Sequence, residues 1–235
     1  MTLLELEGVT VTNHSQHPLL DRVSVGLRAG ELVVLAGRNG AGKTLLARCA
    51  AGLLEPDEGR VVRRGSPPGL VFQDTRSQVL GQTVEEDVAL GPESAALSRR
   101  EVRKRVSEAL SKTGLTGLEH RDPITLSGGE RRRLSVAALL ALRPELLILD
   151  EPFSSLDFEG VRSVLSLVLD LHAAGTGLVV ITHDLEKIVA HAERLILVDA
   201  GRIVADGPPS EIIEKSPDCG LRPPRVPTAE MSWLR

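Results

Sequence analysis

Two glycine-rich turns, each followed by a predicted helix, restrict the folds open to this chain more than any other feature of its 235 residues. The first turn, Gly37-Arg38-Asn39-Gly40-Ala41-Gly42-Lys43-Thr44, follows the apolar run 31–36. Such a turn between a strand and a helix is a P-loop, whose backbone N–H groups and helix start bind phosphate. The second turn, Ser127-Gly128-Gly129, also resembles an anion-binding helix start. Because one P-loop already serves the phosphates, the second turn predicts a site completed by another copy.

The apolar pattern alternates between the periods of strands and helices. The predicted strands are 3–12, 22–28, 31–36, 59–64, 69–73, 146–150 and 177–182, with a hairpin over 194–206 that turns at Ala200-Gly201. The predicted helices around the sheet are 43–52, 160–174 and 184–192. This alternation predicts an α/β fold with a mainly parallel sheet and helices on its faces.

The segment from about 83 to 142 is helical in pattern and predicts an inserted lobe. Within it, Ser98 and Glu101 have the spacing of a capping box, which would open a helix that Gly114 closes. We expect residues 1–215 to form one domain that includes this lobe. The residues from 216 to 235 are rich in Pro and Arg and predict an extended tail.

The composition argues against a general nucleic-acid-binding protein and against a membrane-spanning one. Hydrophobic residues make up 42% of the chain but include only three Phe, one Trp and no Tyr, so the core must be aliphatic. The net charge of −4, with both signs interspersed, argues against nucleic acid as a general partner. No signal peptide is expected in residues 1–7, and no apolar run reaches the ~18 residues of a membrane span. A membrane role would therefore come through a partner. We expect Cys49 to be buried and the arginine run 131–133 to be solvated or at an interface.

Two acids follow the apolar run 146–149, at the edge of a parallel sheet where ligands bind. Lys43 would bring its charge to the β- and γ-phosphates, and Thr44 would offer its hydroxyl to Mg²⁺. Asp150 would orient the ligands of that ion, and Glu151 would polarise the attacking water. Either acid alone could merely cap or pair at a strand end, but both together after a P-loop favour the chemical role.

Gln73 and His183 are weaker candidates. Gln73 is placed at the end of a short strand, from which its amide could bind Mg²⁺ or the water, although a lone Gln is usually a surface residue. His183 follows a strand and stands between Thr182 and Asp184, which favours contact with a γ-phosphate over a purely structural role. Each depends on its position in the set of motifs.

Together with Ser154-Ser155-Leu156-Asp157, these motifs resemble those of ATP-binding-cassette (ABC) ATPases over almost the whole chain. The resemblance implies a P-loop NTPase (RecA-like) core with an antiparallel β subdomain and an inserted helical subdomain. It also implies ATP and Mg²⁺ as cofactors and two domains that bind two ATP molecules head to tail. The nucleotide-binding residues that it implies are Gly37, Arg38, Asn39, Gly40, Ala41, Gly42, Lys43, Thr44, Leu45, Ser127, Gly128, Gly129 and Asp157. The implied catalytic residues are Lys43, Gln73, Glu151 and His183, and the implied metal ligands are Thr44, Gln73 and Asp150.

A finer resemblance lies in Val71-Phe72-Gln73-Asp74 through Gln78, in the segment 83–92, in Glu130 and in Gly220-Leu221-Arg222-Pro223-Pro224. These segments are similar to the ATPases of energy-coupling-factor importers, which take up vitamins or cobalt and nickel ions. The resemblance implies a second ATPase (identical or related), a transmembrane coupling subunit and a substrate-binding membrane protein, with no nucleic acid. It implies a peripheral location on the cytoplasmic face of the membrane. The alternatives are the ATPase of another ABC transporter class, a non-transport ABC protein acting on DNA or ribosomes, and a regulatory module that does not hydrolyse ATP.

The chain departs from the family pattern at three places. Asn13 or His14 stands where an aromatic residue usually stacks on adenine, so base selectivity is expected to be loose. Thr75-Arg76-Ser77 replaces acids that often receive arginines of the membrane partner, so docking would rely on other contacts. The segment after Pro227 is short, so a reduced C-terminal dimerisation region is expected.

Overall fold

The computed structural model of the chain describes residues 1–74, 78–224 and 233. Thr75-Arg76-Ser77 and the segment after Pro227, apart from Trp233, lie outside the described residues. The chain divides into two compact units. The first unit comprises Met1–Leu70, Glu145–Glu151 and the chain from Leu169 onwards, and the second comprises Val71–Pro144 and Pro152–Val168.

The first unit contains two sheets. An antiparallel sheet has the order β2-β1-β4 and comprises β1 (Thr2–Thr12), β2 (Pro18–Arg28) and β4 (Glu58–Arg63). The larger sheet has the order β5-β6-β7-β3-β8-β9. Its strands are β3 (Leu32–Ala36), β5 (Gly69–Val71, of which the first two residues belong to this unit), β6 (Leu146–Asp150), β7 (Gly177–Thr182), β8 (Arg194–Asp199) and β9 (Arg202–Gly207).

Parallel pairing in the larger sheet aligns the carboxyl ends of the central strands. β6 pairs with β7, β7 with β3 and β3 with β8 in parallel, while β9 returns antiparallel to β8. Every residue of β3, β6 and β7 is buried, as expected for aliphatic strands that are covered on both faces. The expected α/β fold is confirmed, and it places the residues after β3, β6 and β7 along one edge of the sheet.

Helix α1 (Lys43–Ala51) follows β3 and ends where the sequence predicted. Gly52 adopts a left-handed conformation (φ 78°), and the N–H of Leu53 donates to the carbonyl of Arg48, which together form a Schellman C-cap. Cys49, on this helix, is fully buried as expected. The first unit also contains the short helix α6 (Pro209–Ile212).

Two segments of the first unit differ from prediction. The predicted helix 184–192 is instead two 3-10 turns, Leu185–Lys187 and Val189–His191, separated by Ile188 at φ −138°. Leu185, Ile188 and Val189 are all buried, so burial of these apolar side chains outweighs regular helix formation. The chain beyond α6 is not extended at first, because Ile213–Cys219 forms a 3-10 helix that buries Ser216 and Cys219.

The second unit is the predicted helical block. It contains α2 (Val84–Ser94), α3 (Arg99–Lys112), the 3-10 turn Pro123–Thr125, α4 (Gly128–Leu140) and the start of α5 (Phe158–Ala173). Its core is aliphatic, as the composition predicted, and includes Val84, Val88, Val106, Leu110, Leu115, Leu126 and Leu134.

Side chains at the helix starts explain where these helices begin. Thr83 and Glu86 form a full capping box at α2. Ser98 caps α3 by accepting the N–H of Glu101, whose carboxylate instead accepts from Arg105 at 2.9 Å. Among the described residues, no helix is long and apolar enough to cross a membrane.

Candidate nucleotide-binding site

Two glycines of the loop after β3 are required because Val198 and Leu20 approach the loop closely. A side chain at Gly37 would overlap the carbonyl of Val198, and Gly42 has φ 103° and would place a Cβ 2.7 Å from Leu20 Cδ2. No side chain caps the start of α1. The first N–H groups of this helix are therefore available to an anion, and the helix dipole favours one there.

Lys43 is the first residue of α1 and is only 6% exposed. Its Nζ donates to the carbonyls of Gly37 at 2.8 Å and Arg38 at 3.0 Å. Burial lowers the pKa of Lys43, while the nearby charges of Glu151 and Asp150 act in the opposite direction. The ammonium group is thus held inside the loop by carbonyls that a phosphate group could replace as its partner.

Thr44 and Asp150 meet across the edge of the sheet. The Thr44 hydroxyl donates to Asp150 Oδ2 at 2.7 Å, and Asp150 is 3% exposed at the end of β6. A hydroxyl and a carboxylate are oxygen ligands of the kind that Mg²⁺ prefers, with its remaining ligands taken from phosphate and water. Within residues 1–74, 78–224 and 233, no group of three or more His, Cys, Asp or Glu side chains could hold a metal ion by itself. The pair therefore fits an ion that arrives with a phosphate ligand.

Glu151 is held by the segment that follows β7. It has the left-handed φ of 49°, and its N–H donates to the carbonyl of Ile181 at 2.9 Å. Its Oε1 accepts the backbone N–H of His183 at 3.1 Å and lies 2.7 Å from His183 Nδ1. The Thr182 hydroxyl donates to Oε2 at 3.4 Å. The Glu151 side chain is 8% exposed and that of His183 is 52% exposed, so the acid is buried behind the imidazole.

The second glycine-rich turn is a helix start in the second unit. The Ser127 hydroxyl accepts the N–H of Glu130 at 3.2 Å, and the Glu130 carboxylate accepts the N–H of Ser127 at 2.7 Å. This second bond lowers the pKa of Glu130. Asp157 caps the neighbouring helix α5 by accepting the N–H of Gly160 at 2.8 Å. The two helix starts border an open groove of about 550 Å³, which is lined by Ser127, Gly128, Gly129, Arg133, Asp157 and Ser163 among others.

Gln73 is exposed and lies two residues beyond the end of β5, not at the strand end as predicted. The N–H of Phe72, the first residue after the strand, donates to Gln78 Oε1 at 2.9 Å, so a side chain takes the donor that a longer strand would use for pairing. Gln73 lines a second groove of the same unit, of about 370 Å³, together with Gly128, Arg131 and Ser154.

The expectation that the arginine run is solvated is wrong for Arg132, which is buried, while Arg131 and Arg133 are half-buried and line grooves, so that their interface role stays a prediction. Arg131 donates to the carbonyls of residues 123, 124 and 126, and Arg133 donates to the Thr113 carbonyl and the Ser163 hydroxyl. Arg132 is 4% exposed and donates to the Phe72 carbonyl at 2.8 Å. These carbonyls lie up to 60 residues away in the sequence, so local periodicity could not reveal them. The helical spacing did contain a signal for the burial of Arg132. This residue follows Gly129 by three positions and precedes Val136 by four, so all three lie on the buried face of α4.

The protein-family model described as ABC transporter matches residues 20–154. The chain belongs to the ABC transporter family. It is 44% identical over 216 residues to a putative ABC transporter ATP-binding protein of Halobacterium salinarum, covering 87% of this chain and 93% of the relative. It is 39% identical over 233 residues to the energy-coupling factor transporter ATP-binding protein EcfA of Methanosarcina acetivorans, covering 94% of this chain and 84% of the relative.

A solved structure supports the same placement within the family. CbiO1 from Clostridium perfringens, part of the ABC transporter complex CbiONQ, superposes with a TM-score of 0.83 and 28% identity and covers 91% of each chain. The resemblance to ABC ATPases of the energy-coupling-factor group, which the motifs predicted, is confirmed by these relatives. The chain is an ATP-binding subunit of the ABC transporter family, and its fold is the ABC ATPase cassette.

The predicted site residues of this ABC cassette fall into two sets. Lys43, Thr44, Asp150, Glu151 and His183 lie together in the first unit, at the carboxyl ends of β3, β6 and β7. The second unit carries Gln73, the turn 127–129 and Asp157. Asn13 Oδ1 accepts the N–H groups of Ser15 and His17, so this side chain closes the turn between β1 and β2.

Proposed function

We propose that this chain is the ATP-hydrolysing motor subunit of an energy-coupling-factor type importer that takes up a vitamin or a transition-metal ion such as cobalt or nickel. The observation that carries the proposal is the arrangement of Glu151 and His183 beside the Thr44–Asp150 pair. The relatives that bear the energy-coupling-factor name at 36–39% identity support the importer class.

ATP binding uses the loop from Gly37 to Leu45. Its backbone N–H groups and the uncapped start of α1 bind the phosphates, and the Lys43 ammonium exchanges the carbonyls of Gly37 and Arg38 for phosphate oxygens. Thr44 and Asp150, with Gln73, would hold Mg²⁺, which supplies positive charge to the phosphate oxygens when bound.

Hydrolysis uses Glu151 as the general base. A water oxygen attacks the γ-phosphorus, the bond from that phosphorus to the ADP oxygen breaks, and the water proton passes to the Glu151 carboxylate. In the structure one oxygen of that carboxylate lies 2.7 Å from the His183 ring. His183 is exposed enough to turn towards a γ-phosphate, and its departure would free that oxygen for the water.

The turn Ser127-Gly128-Gly129 serves a second ATPase subunit, either an identical chain or a related one. It presents a helix start and an open groove in the second unit, although the P-loop of the same chain already provides the phosphate loop. Asp157 lies beside this groove and would link the two sites across the interface. A solved bacterial ABC transporter cassette that is described as dimeric, MJ0796, is 26% identical to this chain with a TM-score of 0.77, and it supports such a pairing.

A third groove in the second unit fits a segment of the transmembrane coupling subunit. It has a volume of about 610 Å³, combines Leu80 (78% exposed) and Leu90 (37% exposed) with the carboxylates of Glu85 and Glu93, and is lined by residues of α2 and α3. A partner segment with apolar and basic side chains would complement it. Cargo would be recognised by a separate membrane protein, and the chain itself would sit on the cytoplasmic face of the membrane.

The test uses the Glu151→Gln variant, which keeps the shape of the side chain and loses the base. We expect it to bind ATP, to hydrolyse it at least ~100-fold more slowly and to accumulate as a dimer in size-exclusion chromatography with ATP. Recovery from native membranes in mild detergent should bring a transmembrane scaffold and a small substrate-binding membrane protein. Near-normal hydrolysis would refute the role of Glu151. Ribosomal or DNA-bound partners without any membrane protein would refute the importer.

A further inference from the structure

Arg132 is a buried charged residue in the middle of the helical unit. It lies in the second turn of α4, four residues after Gly128, and only 4% of its surface is exposed. Arginine is almost never buried to this extent unless its charge is paired or hydrogen-bonded. One such bond runs from Arg132 Nη1 to the carbonyl of Phe72 at 2.8 Å.

Both backbone polar groups of Phe72 are hydrogen-bonded to side chains. Its N–H donates to Gln78 Oε1 at 2.9 Å, and its carbonyl accepts from Arg132. Gln73 is the next residue, and it is exposed and outside any strand or helix. Because Gln73 directly follows Phe72, the bonds at Phe72 fix the point of the backbone from which the Gln73 side chain starts.

The neighbouring arginines hold other segments of the same unit. Arg131 reaches the carbonyls of residues 123, 124 and 126, just ahead of Ser127, and Arg133 reaches the end of α3 and Ser163 on α5. The bond from Arg132 to Phe72 joins residues 60 positions apart. It therefore connects the helix that begins at the Ser-Gly-Gly turn to the residue that directly precedes Gln73.

We propose that Arg132 is the positioning residue of Gln73, and that it makes the Gln73 segment and helix α4 respond together when either is displaced. The inference rests on the proposed function, in which Gln73 would help to hold Mg²⁺ and the turn 127–129 serves the second subunit. A displacement of Phe72 would reach the N-terminal part of α4 through the charged hydrogen bond between the Phe72 carbonyl and Arg132. Without Arg132, Gln73 would sample more positions, and hydrolysis would slow while ATP binding at the P-loop persists.

The first measurement is hydrogen exchange of the peptide covering residues 72–78 in the full chain without nucleotide. We expect Arg132→Met, which fills the space of the side-chain stem, to raise exchange of this segment about 10-fold, because it deletes the charged donor. If the Met variant folds poorly, Arg132→Gln takes its place, because glutamine is polar but too short to reach Phe72. It should raise exchange of residues 72–78 in the same way. Arg132→Lys should restore part of the protection. Arg133→Met, which removes bonds of equal kind on the same helix, should leave residues 72–78 as protected as in the parent chain.

The second measurement separates positioning from stability. We expect kcat for ATP hydrolysis to fall about 10-fold in Arg132→Met with the KM for ATP within about 2-fold of the parent, because the P-loop is untouched. Arg100→Met, an exposed arginine on α3, is the control that should change neither quantity.

Unchanged exchange at 72–78 in folded Arg132 variants would overturn the proposal, as would increased exchange with an undiminished kcat. If the parent chain itself hydrolysed no ATP, the proposed function would fail, yet the exchange experiment would still decide whether Arg132 holds the Gln73 segment.

Discussion

Arg63 of β4 gives the P-loop helix a C-terminal cap from a distant strand, and its removal should destabilise the fold measurably. Its Nε donates to the carbonyl of Ala50 at 2.9 Å, and its Nη2 donates to the carbonyl of Cys49 at 2.6 Å. Both carbonyls belong to the last turn of α1, where carbonyl groups have no partner within the helix. The perturbation is Arg63→Ala.

Removal of Arg63 would affect the hydrogen bonding of the two carbonyls differently. The Cys49 oxygen keeps the N–H of Gly52 at 3.1 Å, whereas the Ala50 oxygen loses a charged donor and lies on a residue that is 3% exposed. A hydrogen bond from a charged group contributes about 1.5–3 kcal/mol. Loss of a cation at a helix C-terminus adds about 0.3–1 kcal/mol. The free energy of unfolding should therefore fall by about 2–4 kcal/mol, which lowers Tm by roughly 4–16 °C in a chain of this size.

Arg60 on the same strand is the matched control. Its side chain is 72% exposed and pairs with Glu7 on the surface, so Arg60→Ala should cost less than about 1 kcal/mol. Urea denaturation of the parent and both variants measures the difference, and Arg63→Lys should fall between parent and alanine because one ammonium cannot serve both carbonyls with the same geometry. If Arg63→Ala and Arg60→Ala were equally stable, the capping role of Arg63 would be refuted.

Two further predictions follow from hydrogen bonds and close contacts near the candidate site. The N–H of Ser127 lowers the pKa of Glu130, so this carboxylate stabilises the fold above its unfolded pKa, and the stabilisation is lost as pH falls through the lowered folded pKa. Glu130→Gln should therefore be less stable than the parent at pH 7 and converge with it in acid, and parallel stability curves at neutral and acid pH would contradict this. A Cβ at Gly220 (φ 65°) would overlap Arg38 Cδ, whereas one at Gly114 (φ 64°) meets nothing within 4 Å. Gly220→Ala should therefore raise the KM for ATP about 3-fold, roughly 0.6 kcal/mol, above any effect of Gly114→Ala, since both carry the same backbone strain. Equal KM values in the two variants would show that Arg38 moves aside without disturbing the loop.

The elements that the sequence predicted best are strands in which every residue is buried. β6 and β7 have the predicted bounds because each is a continuous aliphatic run, and such runs are stable only when both faces of the sheet are covered. The P-loop was predictable because its glycines are required by local backbone geometry. The segment 184–192 was not, since its short turns depend on where Leu185, Ile188 and Val189 meet the core. The roles of Arg132 and Arg133 were hidden for a similar reason, because their guanidinium groups bind carbonyls 60 and 20 residues away in the sequence.

The pairing of Glu151 with His183 explains why the proposed ATPase would not activate water in the absence of ATP. A non-glycine residue in the left-handed region costs roughly 1 kcal/mol, and Glu151 is kept there by its N–H bond to Ile181 and by the carboxylate bonds to residues 182 and 183. The candidate base is thus positioned by the same strand end that carries the candidate phosphate contact. When a γ-phosphate attracts the His183 ring, the backbone N–H of His183 and the Thr182 hydroxyl still hold the carboxylate in place. In the proposed mechanism, the oxygen that the ring leaves would be exposed to water only while a γ-phosphate is present. Activation of the water and presence of the bond to be cleaved would then depend on the same movement of His183.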